Sequence, residues 1–208
     1  MNLTFAAIVL GGYLLGSCPW GYWLVRVFRH EDVRRHGSGN IGITNVWRVY
    51  GRSLGIPLVF LDFGKGFVPA LLGVVYVSHL CGVIAGAAAM AGHWRPLFLG
   101  FARSGKMVAT GGGVLFAVAP LVAVTAVGVW GVVFFALGYS SLASLTTAVY
   151  APIGCWLFGY PTAVIVFCVV AAASVFGLHR ENLARLWHRT EHRSSVALTP
   201  RLLRPRRN

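Results

Sequence analysis

Apolar and polar residues in this chain are sorted into long blocks. Apolar runs cover about 3–28, 54–77, 79–92 and 107–178, and polar islands occupy 29–52, 93–106 and 179–208. A helical run crosses a bilayer when it holds roughly 20 residues, or somewhat fewer where the membrane thins. Gly16-Ser17-Cys18-Pro19 interrupts the first run, and its proline predicts a kink. The run at 79–92 is short and rich in small residues, which suits close helix packing. Within 107–178 the plausible breaks are Gly111-Gly112-Gly113, Ala119-Pro120, Gly138-Tyr139-Ser140-Ser141 and Gly159-Tyr160-Pro161. They predict spans near 107–121, 123–138, 141–158 and 161–178. The expected fold class is all-α, a polytopic transmembrane helix bundle of seven spans. A five-span division merges late segments and keeps the same ends.

Charge orients the bundle. The chain is 57% hydrophobic with a formal net charge of +13, and its basic residues fall between and after the apolar runs. That placement excludes a nucleic-acid surface and points to a lipid bilayer and to anionic substrates. Seven spans put 29–52, 93–106, 139–144 and the C-terminal tail on one side. Every Lys and Arg then lies on or near that side except Lys65. By the positive-inside rule that side is cytoplasmic and the N-terminus is outside. The first run lacks a charged leader and a clear cleavage site, so a retained span is expected. The expected organisation is an integral membrane domain over 1–193 and a basic cytoplasmic tail over 194–208. Cys18, Cys81, Cys155 and Cys168 lie in apolar context without CxxC spacing and read as small buried hydrophobes. No metal ligands and no cofactor are predicted.

The densest polar island runs from Gly37 to Arg48, with three glycines, two hydroxyls, two asparagines and an arginine. Glycines let backbone N–H groups turn toward an anion. A helix beginning near Ile41 would aim its positive end at Gly37, Ser38, Gly39 and Asn40. Asn40, Thr44 and Arg48 would share one helix face, and Arg48 suits bidentate phosphate contact. The alternative is a solvated Gly-rich connector followed by an amphipathic helix. His179 and Asn182 share a face at the end of the last span, as site residues or as ordinary interfacial polarity. Asp62 and Lys65, inside the second span, either pair structurally or turn Lys65 to a phosphate pocket. His93, at the end of a short span beside Pro96, is a site residue or an ordinary interfacial histidine, and Ser141 and Ser144 either support a site or bond between helices. There is no GxSxG elbow and no HxxxxD dyad.

These islands, taken in order, carry a resemblance. Gly16-Ser17-Cys18-Pro19-Trp20-Gly21-Tyr22 is followed by Gly37-Ser38-Gly39-Asn40-Ile41-Gly42-Ile43-Thr44-Asn45-Val46-Trp47-Arg48. Then come Asp62-Phe63-Gly64-Lys65-Gly66, Gly92-His93-Trp94-Arg95-Pro96, Lys106 with Val108-Ala109-Thr110, Tyr139-Ser140-Ser141-Leu142-Ala143-Ser144 and His179-Arg180-Glu181-Asn182. The chain resembles the bacterial acyl-phosphate-dependent glycerol-3-phosphate acyltransferase family over most of its length. The resemblance implies a seven-helix, multi-pass enzyme of the inner membrane with its site facing the cytoplasm. It would move a fatty acyl group from acyl phosphate to the 1-hydroxyl of glycerol 3-phosphate, giving lysophosphatidic acid and phosphate for phospholipid biosynthesis. Neither metal nor acyl-CoA is implied.

By the same resemblance Ser38, His179 and Asn182 are catalytic. Gly37, Gly39, Asn40, Thr44, Asn45, Arg48, Lys106 and Ser144 would bind substrate phosphate, with Asp62, Lys65, His93 and Ser141 in support. Acyl phosphate is already activated, so no covalent nucleophile is needed. The proton of the attacking hydroxyl goes to His179 or to a substrate phosphate oxygen. The chain departs from the family pattern in one loop. Phe101-Ala102-Arg103-Ser104-Gly105-Lys106-Met107 has one extra residue after Phe101, and has Ser104 and Met107 where glycine is typical. Arg189 also replaces a family glycine. The competing readings are a diverged paralogue with a changed acceptor or no activity, and a phosphate- or lipid-binding transporter. Transport fits less well, because the polar groups cluster on one face.

Overall fold

The computed structural model describes residues 3–194 and Leu198. Its described residues form ten α-helices and no strands: α1 (Leu3–Gly16), α2 (Trp20–Arg29), α3 (Ile43–Tyr50), α4 (Arg52–Tyr76), α5 (His79–Trp94), α6 (Val108–Val118), α7 (Pro120–Leu137), α8 (Ser140–Leu157), α9 (Thr162–Leu178) and α10 (Arg180–Trp187). The expected kink divides the first run into α1 and α2, which bend by 40° across Pro19. Helices α9 and α10 bend by 61° at His179. Taken singly, α4 and α7 are long and apolar enough to cross a membrane, and each bent pair also passes as one broken span.

The breaks at Ala119-Pro120, Gly138-Tyr139 and Gly159-Tyr160-Pro161 fall between helices. Gly111-Gly112-Gly113 does not break the chain; it lies inside α6. A Cβ at Gly113 would sit 2.1 Å from the Phe63 carbonyl oxygen, so glycine there lets α6 lie directly on α4. The small-residue run of α5 works in the same way: a Cβ at Gly16 would meet the Ala89 carbonyl oxygen at 2.1 Å. Away from these seams a buried cluster that includes Val114, Val118, Val122, Val164 and Phe167 joins α6, α7 and α9. The outward faces of α7 and α9 stay apolar, with Val124, Val127, Val132, Val169 and Val170 exposed, as lipid contact requires.

Between α1, α4 and α5 lies a buried charge pair. The Lys65 ammonium is 2.8 Å from Asp62 Oδ1 and donates to the Cys18 carbonyl at 3.1 Å, where the chain breaks before Pro19. Both side chains are almost fully buried. Of the two readings of these residues, pairing is what the fold adopts, and Lys65 does not line a phosphate pocket.

The segments 30–42, 95–107, 138–139 and 179–194 meet at one end of the bundle. Ser38, Lys106 and Leu178 share a cleft, Ser141 bonds Glu191, and the Ser194 N–H donates to the Gly138 carbonyl. Most of the basic tail lies outside the described residues.

Candidate active site

The glycine island is built around Asn45. Gly37 and Gly39 take left-handed φ values of 60° and 70°, which curl the chain back over the start of α3. The Asn45 side chain fills that curl. Its Oδ1 accepts from the Ser38 N–H at 2.8 Å, and its Nδ2 donates to the carbonyls of His36 (3.0 Å) and Asn40 (2.8 Å). A Cβ on Gly37 would fall 2.3 Å from Asn45 Oδ1. Asn45 is therefore buried and fully engaged, and it moulds the loop from behind instead of facing the cleft. Upstream, Asp32 caps the 3₁₀ turn Val33–Arg35 and pairs with Arg34 at 2.6 Å. The hydrogen bonds from Arg34 hold the Asp32 carboxyl down to about 2.

Helix α3 begins at Ile43, two residues later than the sequence pattern suggests. Asn40 explains the delay: its Oδ1 accepts the Gly42 N–H at 2.7 Å, a local turn that competes with helix. Asn40 thus sits in the loop and does not share a helix face with Thr44 and Arg48. Thr44 and Arg48 are exposed and do not line the cleft; the Arg48 charge instead falls beside His192.

Ser38, Gly39 and Asn40 form one wall of a cavity of about 150 Å³. Arg103, Ser104, Gly105 and Lys106 form the other, with Leu178 and Glu181 at its edge. The Ser38 hydroxyl has no protein partner among the described residues. A larger cleft of about 420 Å³ around Tyr22, Arg26 and Arg35 contains none of the expected site residues.

Behind the second wall a hydrogen-bonded chain begins at Lys106, whose ammonium donates to Asn182 Oδ1. The Asn182 Nδ2 donates to Glu191 Oε1 at 2.6 Å. Glu191 also accepts from Ser141 Oγ (2.8 Å) and from Arg185 Nε (2.7 Å). Burial and the nearby Arg185 charge lower the Lys106 pKa, while the charges of Glu191 and Glu181 oppose that shift. Burial works to raise the Glu191 pKa, but the bonds from Asn182, Arg185 and Ser141 outweigh it and leave it lowered.

His179 stands at the α9–α10 bend, buried, with Nδ1 2.8 Å from the Val175 carbonyl. A carbonyl only accepts, so Nδ1 carries the hydrogen and Nε2 keeps its lone pair. Burial, reinforced by the Lys106 charge, lowers the His179 pKa, so the ring is neutral at pH 7.

Ser144 is turned away from the cleft: its Oγ donates to the Ser140 carbonyl and accepts from Trp130 Nε1. Ser141, one helical turn earlier, is the hydroxyl that reaches the Glu191 network. Sequence reasoning missed Glu191, Arg103 and Ser104. Glu191 carried a signal, since it is one of only five acidic residues and borders a basic tail.

In the altered loop, and at Arg189 nearer the tail, residues other than glycine take up left-handed backbone. Phe101 (φ 59°), Met107 (φ 64°) and Arg189 (φ 58°) all adopt left-handed conformations that favour glycine. Ser104 is buried, and its hydroxyl donates to the His93 carbonyl at 2.8 Å.

An all-helical bundle with apolar outer faces and a small cleft at its polar end, lined by Ser38, Arg103 and Lys106, has the architecture of an integral membrane protein. The chain belongs to the glycerol-3-phosphate acyltransferase family, whose model matches residues 6–189. The glycerol-3-phosphate acyltransferase of Aquifex aeolicus is 42% identical, over 89% of this chain and 97% of the relative. That of Roseiflexus is also 42% identical, over 92% and 96%. The fold matches crystal structures of PlsY, an integral membrane glycerol 3-phosphate acyltransferase. Its glycerol 3-phosphate form has a TM-score of 0.87 at 40% identity, covering 91% of this chain and 94% of that one. Its lysophosphatidic acid form has a TM-score of 0.86 at 39% identity, over 92% and 96%.

Proposed function

We propose that this protein transfers a fatty acyl group from acyl phosphate to the 1-hydroxyl of glycerol 3-phosphate, releasing lysophosphatidic acid and phosphate. The observation that carries the reading is one cleft walled by the Ser38 loop and by Arg103 to Lys106, with Asn182 accepting from the Lys106 ammonium and the Lys106 charge acting on His179. Two phosphorylated substrates need fixed donors and cations, and Ser38, Arg103 and Lys106 supply them. Leu178 at the edge of the cleft and the apolar outer faces of the bundle offer the acyl chain a lipid-side approach.

In this reading the 1-hydroxyl attacks the acyl carbonyl carbon, and the bond from that carbon to the phosphate oxygen breaks. His179 Nε2 accepts a hydrogen bond from the hydroxyl and orients it, while Asn182 is held by Lys106 and Glu191. The hydroxyl proton ends on the released phosphate, directly or by way of His179. Asn45 acts indirectly, by setting the curvature of the loop that presents Ser38. Neither Thr44 nor Arg48 reaches the cleft in this structure, and a contact from them to substrate requires the exposed side chains to swing inward.

We read the membrane arrangement as seven spans, α1 with α2 and then α4 to α9 singly, with the N-terminus outside and the site and tail in the cytoplasm. The placement of basic residues at the site end supports this orientation. A bacterial inner membrane is the matching location.

The test mixes purified protein with acyl phosphate and glycerol 3-phosphate and follows phosphate and lysophosphatidic acid together. Matched release of both is expected, with acyl-CoA inert as donor. Phosphate without lysophosphatidic acid would indicate a changed acceptor or a hydrolase, and no turnover would sink the enzyme reading. The pH profile then separates the proton routes. A substrate phosphate titrates near pH ~6, whereas the lowered His179 pKa places its protonation below the usual 6.5. Activity through His179 is therefore held at neutral pH and lost as pH falls through the lowered value. If His179→Ala lowers the rate but leaves the whole acid limb in place, the phosphate takes the proton directly.

A further inference from the structure

Resting on the acyltransferase reading above, we infer that His93 is a positioning residue: it docks the loop that carries Lys106 and so sets where that ammonium stands. His93 itself does not line the cleft; it contacts Ser104 and Gly105, which do. It acts at the C-terminal end of α5, where the last carbonyls of a helix have no partner within it.

Three contacts define the dock. The His93 carbonyl accepts the Ser104 hydroxyl at 2.8 Å and the Gly105 N–H at 3.4 Å. The next carbonyl, of Trp94, accepts the Ser104 N–H at 3.1 Å. The His93 ring lies against the Gly105 backbone: a Cβ there would fall 1.7 Å from Nε2, 2.4 Å from Cε1 and 2.6 Å from Cδ2. Approach to three ring atoms at once admits only glycine. Lys106 follows immediately, and its ammonium reaches Asn182.

The opposite edge of the ring faces the buried charge pair. His93 Nδ1 lies 3.8 Å from Asp62 Oδ1, beyond hydrogen-bonding distance, and has no hydrogen-bond partner among the described residues. Asp62 is itself held by Lys65, and Lys65 by the Cys18 carbonyl. The ring is thus wedged between the Asp62–Lys65 pair on α4 and the loop backbone. The pair packs behind the ring and does not line the cleft. Ser104 belongs to the same dock. In the loop with one extra residue, its hydroxyl adds an anchor that glycine at that position lacks.

The experiment compares Ser104→Ala, His93→Ala, Gly105→Ala and the His93→Ala/Gly105→Ala double variant with wild-type protein that has first been shown to be active. Amide hydrogen exchange of the 101–107 segment is measured alongside. Ser104→Ala is expected to raise KM for glycerol 3-phosphate about 5- to 10-fold with kcat nearly unchanged, and to speed exchange at Gly105. Gly105→Ala is expected to lower kcat/KM about 100-fold, the scale of a misplaced binding group. Removing the ring makes room, so the double variant is expected to be no worse than His93→Ala alone. The inference is overturned if the two effects multiply in the double variant. It is equally overturned if Ser104→Ala changes neither KM nor exchange. An inactive wild type would defeat the acyltransferase reading instead, while exchange at Gly105 would still test the dock. Should His93→Ala fail to fold, Ser104→Ala with the exchange data decides.

Discussion

Glu191→Gln isolates the network behind Asn182. The native carboxylate accepts three hydrogen bonds, from Ser141 and Asn182 on Oε1 and from Arg185 on Oε2, and its side chain is 8% exposed. Gln keeps the shape but has one acceptor oxygen. If that oxygen replaces Oε1, the new NH₂ group faces the Arg185 donor; if it replaces Oε2, the NH₂ group faces Ser141 and Asn182. Either way at least one bond to an ionised group is lost, worth about 1.5–3 kcal/mol. Arg185 is 41% exposed and can turn to water, so the lower half of that range applies, about 2 kcal/mol. For a chain of this size that is a fall of roughly 4–8 °C in Tm. Activity should fall further than stability, because Asn182 loses its orientation and with it the acceptor of the Lys106 ammonium. The lowered Glu191 pKa also has a pH consequence. Its stabilisation is present above the unfolded value of about 4.5 and is lost as pH falls through the lower folded value. Thermal unfolding in detergent from pH 8 down to about pH 3, below the unfolded Glu191 value, with turnover measured at pH 7, checks both. Wild-type Tm and turnover in the Glu191→Gln variant would refute the network as drawn.

Other perturbations read different parts of the structure. Arg189→Gly relieves a left-handed backbone strain of about 1–2 kcal/mol against an entropy cost of about 0.5–1. Its side chain is exposed, so a net gain of roughly 0.5–1 kcal/mol in thermal stability is expected. Met107→Gly relieves similar strain but removes a side chain that is 6% exposed, and burial of about 1.5–3 kcal/mol wins, so the protein should be destabilised. Asp62→Leu strands a buried ammonium and should cost about 3–5 kcal/mol, whereas Asp62→Leu with Lys65→Met should recover most of it. Additive losses in that double variant would show that the pair does not act as one unit.

The helices were legible because membrane spans are written in blocks, with Pro and Gly at true breaks. The error at Gly111-Gly112-Gly113 has a physical cause. Glycine disrupts a helix in water, but inside a packed bundle it gives a neighbour access, here Phe63 of α4. Site residues were legible as residue types and less so as orientations. Asn45 belongs to the glycine motif, but its inward turn depends on the loop curling over α3. Ser141 and Ser144 lie near each other along α8, and only packing against Trp130 decides which hydroxyl faces Glu191. The contact from Glu191 to Ser141 spans fifty positions, and no local pattern announces it.

The altered loop shows why a departure from a glycine-rich pattern need not change the path of the chain. A left-handed residue with a Cβ costs about 1–2 kcal/mol, which is within reach of one well-made compensating contact. Met107 bears that strain at the start of α6 and offsets it by burying its side chain in the core. Ser104 gives up the freedom of glycine and gains a buried hydrogen bond to His93. The Met107 side chain packs away from the cleft, and the Ser104 hydroxyl, although Ser104 lines the wall, is turned to the His93 carbonyl. The backbone between them can therefore still deliver Gly105 to the His93 ring and the Lys106 ammonium to Asn182, which are the two contacts the proposed chemistry needs from this loop.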